Sequence, residues 1–424
     1  MEPSNPKTQH SEGGGRAHWY PYYAGYSTNF VSDILAALNL ADDAVVLDPW
    51  NGSGTTTTVC SINGVLSTGF DLNPSMIVVA KARLLAANTA GSLTPLLHAT
   101  LEMAKGAYRS CGSTDPLLAW FTPPTASRLR AVERAIHALF VTVDHSVRVS
   151  KRSVDGFSSL AAFYYVLLFR LVRKSLRGVS TTNPTWIKSR SENKEQIRLT
   201  WDEIASEMKV DLKRIHLQDT ANEAGARYAT ADVKVADSRF LPLADRTVDA
   251  VITSPPYCTR IDYAVATRAE LAVLNIADAE EFEALRRNML GTTLSSKEPA
   301  DIGLLSAGTS RVLEKIRAHP SKASASYYFS TFCDYFAKLE SSLSQIARVL
   351  KVGGAATLVV QDSSYKDVHI DLAKIVSDCF MERGFRAGSR WDFPVIKSMR
   401  QIHTISRNHG GRQPTESVLT FIKD

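Results

Sequence analysis

The chain has 424 residues, 44% hydrophobic and 22% charged, with a formal net charge of +6. That suffices for a large buried core, matches an ordinary soluble composition, and permits a polyanionic partner without demanding one. Five scattered cysteines with no C-x-x-C spacing argue against a disulfide framework or a zinc site, and for a reducing compartment.

Residues 1–15 are polar and Gly-rich; they read as a disordered tail, not a signal peptide. Residues 18–26 are dense in aromatics, and residues 30–38 space their apolar side chains as a helix does. Val45-Val46-Leu47-Asp48 is a buried strand running into Pro49-Trp50-Asn51-Gly52-Ser53-Gly54, with Thr55 opening a helix. Gly52 and Gly54 let the backbone turn tightly beside a ligand. No Lys-Ser/Thr follows them, which excludes a P-loop, and Asp48 suits a ligand carrying an ammonium. A second strand ends at Asp71, 17 residues after Gly54. That is close to the ~20-residue spacing at which a strand-end acid reaches ribose hydroxyls. Helix 75–85 returns the chain.

Residues 86–225 interrupt this alternation. Helices are expected at 127–143, 156–177 and 201–215, and the apolar run 160–169 is too short for a bilayer, which needs ~20 residues. Basic residues gather here, among them Arg148, Lys151, Arg170, Arg173, Lys174, Lys188 and Arg190. They form either a solvated helical face or a phosphate-contacting lobe. Residues 231–240 rejoin the sheet and carry Asp237-Ser238. Residues 248–252 form a buried parallel strand that stops at Ser254-Pro255-Pro256-Tyr257, because each proline lacks an N–H and fixes φ. Ser254 and the neighbouring carbonyls offer fixed acceptors and Tyr257 a flat ring, which suits a planar substrate bearing an amino group. Residues 264–326 read as mostly helical around a polar middle. Residues 327–350 read as a long helix capped by Gly353-Gly354, 356–363 as a buried strand, and 367–384 as a helix. Segments 401–406 and 417–422 read as two strands joined by a turn at 407–414.

Thr253-Ser254-Pro255-Pro256-Tyr257 resembles the catalytic motif of the S-adenosylmethionine-dependent DNA amino-methyltransferases. The Ser-headed form is more typical of cytosine-N4 than of adenine-N6 enzymes. Glycine loop, ribose acid, Asp-Ser strand and Ser-Pro-Pro-Tyr follow one another in that family's cofactor-first order, and the resemblance covers residues 18–85 and 231–424. It implies an α/β, Rossmann-like class I methyltransferase fold: a mixed seven-stranded sheet with a C-terminal antiparallel hairpin, plus a mostly helical insert. The catalytic domain would comprise residues 16–85 and 226–424. The insert 86–225 would be a DNA-recognition lobe, and 264–326 a second DNA-contacting or lid segment.

The resemblance further implies a catalytic role for Ser254, Pro255, Pro256 and Tyr257. S-adenosyl-L-methionine would be held by Tyr23, Phe30, Asp48, Asn51, Gly52, Gly54, Thr55, Asp71, Asp237 and Ser238, with no metal. Double-stranded DNA would be the partner, in a bacterial cytoplasm, with a cognate restriction endonuclease as companion and no membrane. Two features depart from the family: the long insert lies between the ribose acid and the Asp-Ser strand, and many cytosine-N4 enzymes carry the catalytic motif first. Adenine-N6 methylation, methylation of a guanine amino group in RNA, and an inactive nucleic-acid-binding protein stand as alternatives. Carbon-5 methylation is excluded because no Pro-Cys occurs in the chain; Cys258 reads as a small buried residue.

Overall fold

The computed structural model describes residues 2–7, 15–20, 25–141, 154–177, 196–219, 228–258, 261–276, 279–294, 301–395 and 414–424. The first half of the fold is α1 (Thr28–Leu38), β1 (Val45–Asp48), α2 (Thr55–Ile62), β2 (Leu66–Asp71) and α3 (Pro74–Arg83). The helical insert follows as α4 (Ala90–Gly106), α5 (Pro123–Phe140), α6 (Ser159–Ser175) and α7 (Trp201–Asp219). The chain then returns through β3 (Ala231–Val235) and β4 (Val248–Thr253). Helices α8 (Tyr263–Ala266), α9 (Arg268–Val273), α10 (Ala279–Asn288), α11 (Ala307–Ala318) and α12 (Phe329–Val349) lead to β5 (Leu350–Gln361). The last elements are the β6–β7 ribbon (Ser363–Tyr365 and Val368–Ile370), α13 (Leu372–Met381), β8 (Phe385–Pro394) and β9 (Thr415–Lys423).

Among the described residues the main sheet has seven strands in the order β3-β2-β1-β4-β5-β9-β8. The first five run parallel, and β9 inserts antiparallel between β5 and β8. The central strands are apolar on both faces, as strands covered by helices on both sides must be. Val46, Ala250 and Ile252 pack under α1 and α2 with Phe30 and Val59. Leu47, Val251 and Leu358 point the other way, into a core with Phe336, Leu339 and Leu343 of α12. Strands β1 and β4 are adjacent and parallel (Val46↔Ala250, Leu47↔Val251), so both strand-end loops lie on one edge.

The insert forms a separate apolar cluster that takes in α3. Its apolar run forms α6, buried along its whole central length, against Met76 to Ala82 of α3. Arg170, Arg173 and Lys174 do not make an open basic face. They pair with Asp211 (2.9 Å), Glu270 (2.6 Å) and Glu207, tying α6 to α7 and α9. Arg148, Lys151, Lys188 and Arg190 lie outside the described residues.

Four expectations change. The pair Gly353-Gly354 does not cap α12: Leu350 is already extended (φ −73°, ψ 137°) and β5 begins there. Gly353, at φ +77°, belongs to a bulge where the β4–β5 register slips from Val248↔Leu350 to Ala250↔Ala355. The hairpin partner of β9 is β8, whereas segment 401–406 lies outside the described residues. Helix α4 carries Pro95 in its interior, which hides its periodicity from a sequence reading. Residues 2–7 of the supposed tail are placed against α1, with Pro3 and Pro6 buried and Ser27 N–H donating to Pro6 O at 2.8 Å. Among the described residues no helix is long and apolar enough to cross a membrane, and no group of three or more His, Cys, Asp or Glu is arranged to hold a metal.

Candidate active site

A cavity of about 160 Å³ opens at the carboxyl edge of β1, β2, β3 and β4. This is where open α/β sheets place their ligands. Its floor is the glycine loop. Gly54 starts α2 at φ +83°, and a Cβ there would lie 2.6 Å from Ala80 Cβ. Gly69 of β2 makes room for Asn51, whose Cγ would lie 2.5 Å from an added Cβ. Arg83 of α3 is buried and fastens the loop, donating to Ser53 O and Ser53 Oγ at 2.9 Å and reaching back to Ala17 O at 2.8 Å. Burial lowers its pKa to about 10.

The two strand-end aspartates differ in what holds them. Asp48 is buried and its oxygens are already engaged. It accepts from Thr253 Oγ1 (2.6 Å), Thr56 Oγ1 (2.7 Å), Tyr26 OH (2.9 Å) and Trp50 N–H (3.1 Å). Burial pushes its carboxyl up, and these donors pull it back down. Asp48 thus clamps β1 to β4, α2 and the N-terminal segment, and an ammonium would compete with four donors. Asp71 accepts from two backbone amides, Gly52 N–H (2.9 Å) and Asn73 N–H (2.8 Å), and burial raises it to about 6.

At the Asp-Ser strand, Asp237 is gripped by Arg239, with Nε 2.9 Å from Oδ1 and Nη2 2.5 Å from Oδ2. An adenine amino group would have to share those oxygens. Ser238 Oγ meets Ser342 Oγ of α12 at 2.8 Å. The loop after β4 is held from several sides. Ser254 Oγ–H donates to Val359 O of β5 at 2.9 Å, and Tyr335 OH donates to Pro256 O at 2.9 Å. Ser363 Oγ–H donates to Cys258 O at 2.7 Å. The Ser254 proton is therefore spent on the backbone, and its oxygen faces outward as an acceptor. Cys258 is buried, and burial pushes its thiol far up.

Asp48, Asn51, Gly52, Thr55 and Asp71 line the cavity, as do Asp237, Ser238 and the Ser254–Tyr257 loop. Phe30 does not: it is fully buried on the inner face of α1, against the sheet. Gly54 acts through the turn beneath the loop, and Tyr23 lies outside the described residues. Sequence reasoning missed Tyr20 and Arg173, which close one wall, and Asn288 to Leu290, which close another. Arg173 sits in the insert, and only its long-range partner Glu270 betrays its place.

The strand order, the reversed β9 and the site on the carboxyl edge define a Rossmann-like class I methyltransferase fold. No family model matches the chain. The chain is similar to Type II methyltransferase M.BsoBI of Geobacillus stearothermophilus, at 24% identity over 315 residues, covering 66% of this chain and 56% of that protein. It is also similar to Type II methyltransferase M.AvaI of Nostoc sp., at 28% identity over 189 residues, covering 41% of this chain and 38% of that protein. The chain thus spans 56% and 38% of the length of these curated relatives. Among solved structures, a SAM-dependent methyltransferase from Methanosarcina mazei aligns at 10% identity and TM-score 0.32, covering 92% of this chain and 96% of that one. With a score this low, the fold assignment rests on the strand order itself.

The residues present fit S-adenosyl-L-methionine, the cofactor that this fold and these relatives imply. Asp71 presents a carboxylate to the cavity, a group that suits ribose hydroxyls. Gly52 lines the cavity without a side chain. Asn51 Nδ2 and Trp50 Nε1, in the same loop, are buried donors without a partner among the described residues.

Proposed function

We propose that the chain is a DNA methyltransferase that moves a methyl group from S-adenosyl-L-methionine to the exocyclic N4 amino group of cytosine. The observation that carries this reading is Ser254. Its hydroxyl proton is committed to Val359 O, so the oxygen can only accept, and it sits beside two prolines and an aromatic ring.

An aromatic amine is a poor nucleophile because its lone pair is delocalised into the ring. Ser254 Oγ and a backbone carbonyl near Pro255 each accept one N–H of the amino group. This favours a tetrahedral nitrogen with a localised lone pair. Tyr257 stacks on the base. Pro255 and Pro256 keep the acceptors fixed before substrate arrives, which lowers the reorganisation cost of the step. Asp71 holds the ribose, Asp237 the adenine edge, and the glycine loop the methionine part. When bound, the cofactor supplies an electrophilic methyl on a sulfonium. The protein's remaining task is to align the two reactants and exclude water.

A base inside a duplex cannot reach such a loop, so the target base is flipped out. Residues 264–326 supply Asn288 to Leu290 to the cavity wall and are the segment best placed to meet DNA beside the site. In the insert 86–225, Arg170, Arg173 and Lys174 are spent on internal partners; phosphate contacts there fall to other residues. The relatives are named as Type II methyltransferases; that supports a place in bacterial restriction–modification, in the cytoplasm, opposite a cognate endonuclease.

The test is methyl transfer from labelled S-adenosylmethionine to mixed-sequence duplex DNA, followed by mass spectrometry of the nucleosides. N4-methylcytosine is the expected product. N6-methyladenine would move the reading to the adenine enzyme, and a product in RNA alone would remove DNA as substrate. If wild type and Ser254→Ala behave alike on every nucleic acid, the reading is wrong.

A further inference from the structure

We propose that Lys7 and Glu416 are positioning residues of this reaction, which together hold the Tyr257 phenol where the target base stacks. The inference rests on the reading of Tyr257 as the base platform.

The Lys7 ammonium donates to the Tyr257 hydroxyl. It lies 4.6 Å from the ring centroid and 3.3 Å from Glu416 Oε1. The same hydroxyl donates to Glu416 Oε1 at 3.5 Å. The phenol oxygen thus accepts from one group and donates to another, which fixes both the hydroxyl and the ring that carries it.

Both partners come from far away in sequence and are themselves anchored. Glu416 sits on β9 between Gln361 of β5 and Phe393 of β8. Lys7 ends a segment held by Ser27 N–H on Pro6 O and by Ser4 N–H on Asp33 Oδ2, both at 2.8 Å. A stability role alone does not explain the pair. The Glu416 side chain is only 2% exposed, and its Oε2 has no partner among the described residues. Burial pushes its carboxyl up, and Lys7 draws it down again. An apolar residue between β5 and β8 would avoid that desolvation. What the carboxylate and ammonium share is the Tyr257 hydroxyl. Stacking and in-line alignment respond steeply to small displacements of the platform, which gives the arrangement a purpose.

The test uses the full chain with Lys7→Met, Lys7→Arg, Tyr257→Phe and the double variant Lys7→Met/Tyr257→Phe. Readouts are kcat and KM on duplex DNA, cofactor affinity by calorimetry, and the Cζ resonance of 13C-tyrosine, with Tyr257 assigned by its loss in Tyr257→Phe. Lys7→Met is expected to lower kcat about tenfold with cofactor affinity unchanged, and Lys7→Arg to restore most of it. In the Tyr257→Phe background Lys7→Met should add less than about twofold, because the group it acts through is gone. The Tyr257 resonance should move in Lys7→Met. Multiplying effects in the double variant, an unmoved resonance, or a wild-type rate for Lys7→Met would each overturn the proposal. If wild type methylates no nucleic acid, the functional reading falls; the resonance still decides whether Lys7 holds Tyr257.

Discussion

The two sides of the cavity are built by different means. Around the glycine loop the bonds donated by backbone amides are local: Trp50 N–H to Asp48, Gly52 N–H to Asp71, Asn73 N–H to Asp71. Around Ser254–Tyr257 the supports come from far along the chain. Ser254 and Cys258 lean on residues 105 positions away, Pro256 on one 79 away, and Tyr257 on one 250 away. A ligand common to many proteins can be bound by loops that carry their own geometry. A set of neutral acceptors must be stiff, and here the rest of the fold supplies the stiffness.

The sharpest break of this comparison is Ser254→Ala. It should lower methyl transfer by about a hundredfold to a thousandfold, the range seen when one preorganised polar group is removed from a reacting centre. Cofactor affinity, read by calorimetry, should stay as in wild type; a parallel loss would show that the two sides are not separate. Next comes Arg173→Met, in the cavity wall beside Tyr20. It strands the fully buried Glu270 and should cost about 3 kcal/mol in urea unfolding, most of it recovered in Arg173→Met/Glu270→Leu. Gly69→Ala strikes the cofactor side alone. An added Cβ would lie 2.5 Å from Asn51 Cγ, so the loop must move, with about 1–3 kcal/mol lost and weaker cofactor binding. The smallest effect is on pH. Asp71, raised to about 6, gains a proton as pH falls through that value and loses its charge toward a ribose. Cofactor affinity should drop about tenfold from pH 7 to pH 5, and Asp71→Asn should flatten the curve.

The same contrast explains what could be read from the chain. The glycine loop, Asp71 and Ser254–Tyr257 are contiguous patterns whose meaning is local, and the strands feeding them are short apolar runs. Asp48 is legible as a strand-end acid, yet three of its four donors come from β4, α2 and the N-terminal segment, which no window on β1 contains. The basic residues of α6 looked like a surface because their acids lie 33 to 97 positions away. Composition alone assigns residues 2–7 to a tail, although two buried prolines and a lysine on Tyr257 give them a fixed place. Strand β8 was lost because most of its side chains are exposed, so its polar pattern lacks the apolar alternation of a half-buried strand.

One residue beyond Tyr257 sits Cys258, buried and with its thiol held far above its usual range. A thiolate is a far better methyl acceptor than an aromatic amine, and it is the ionised form that reacts. An exposed, ionised sulfur at that position would compete with every target base and end as a dead thioether on the enzyme. Burial keeps the sulfur protonated, and so, under the function proposed above, the loop would handle an alkylating reagent without becoming its own product.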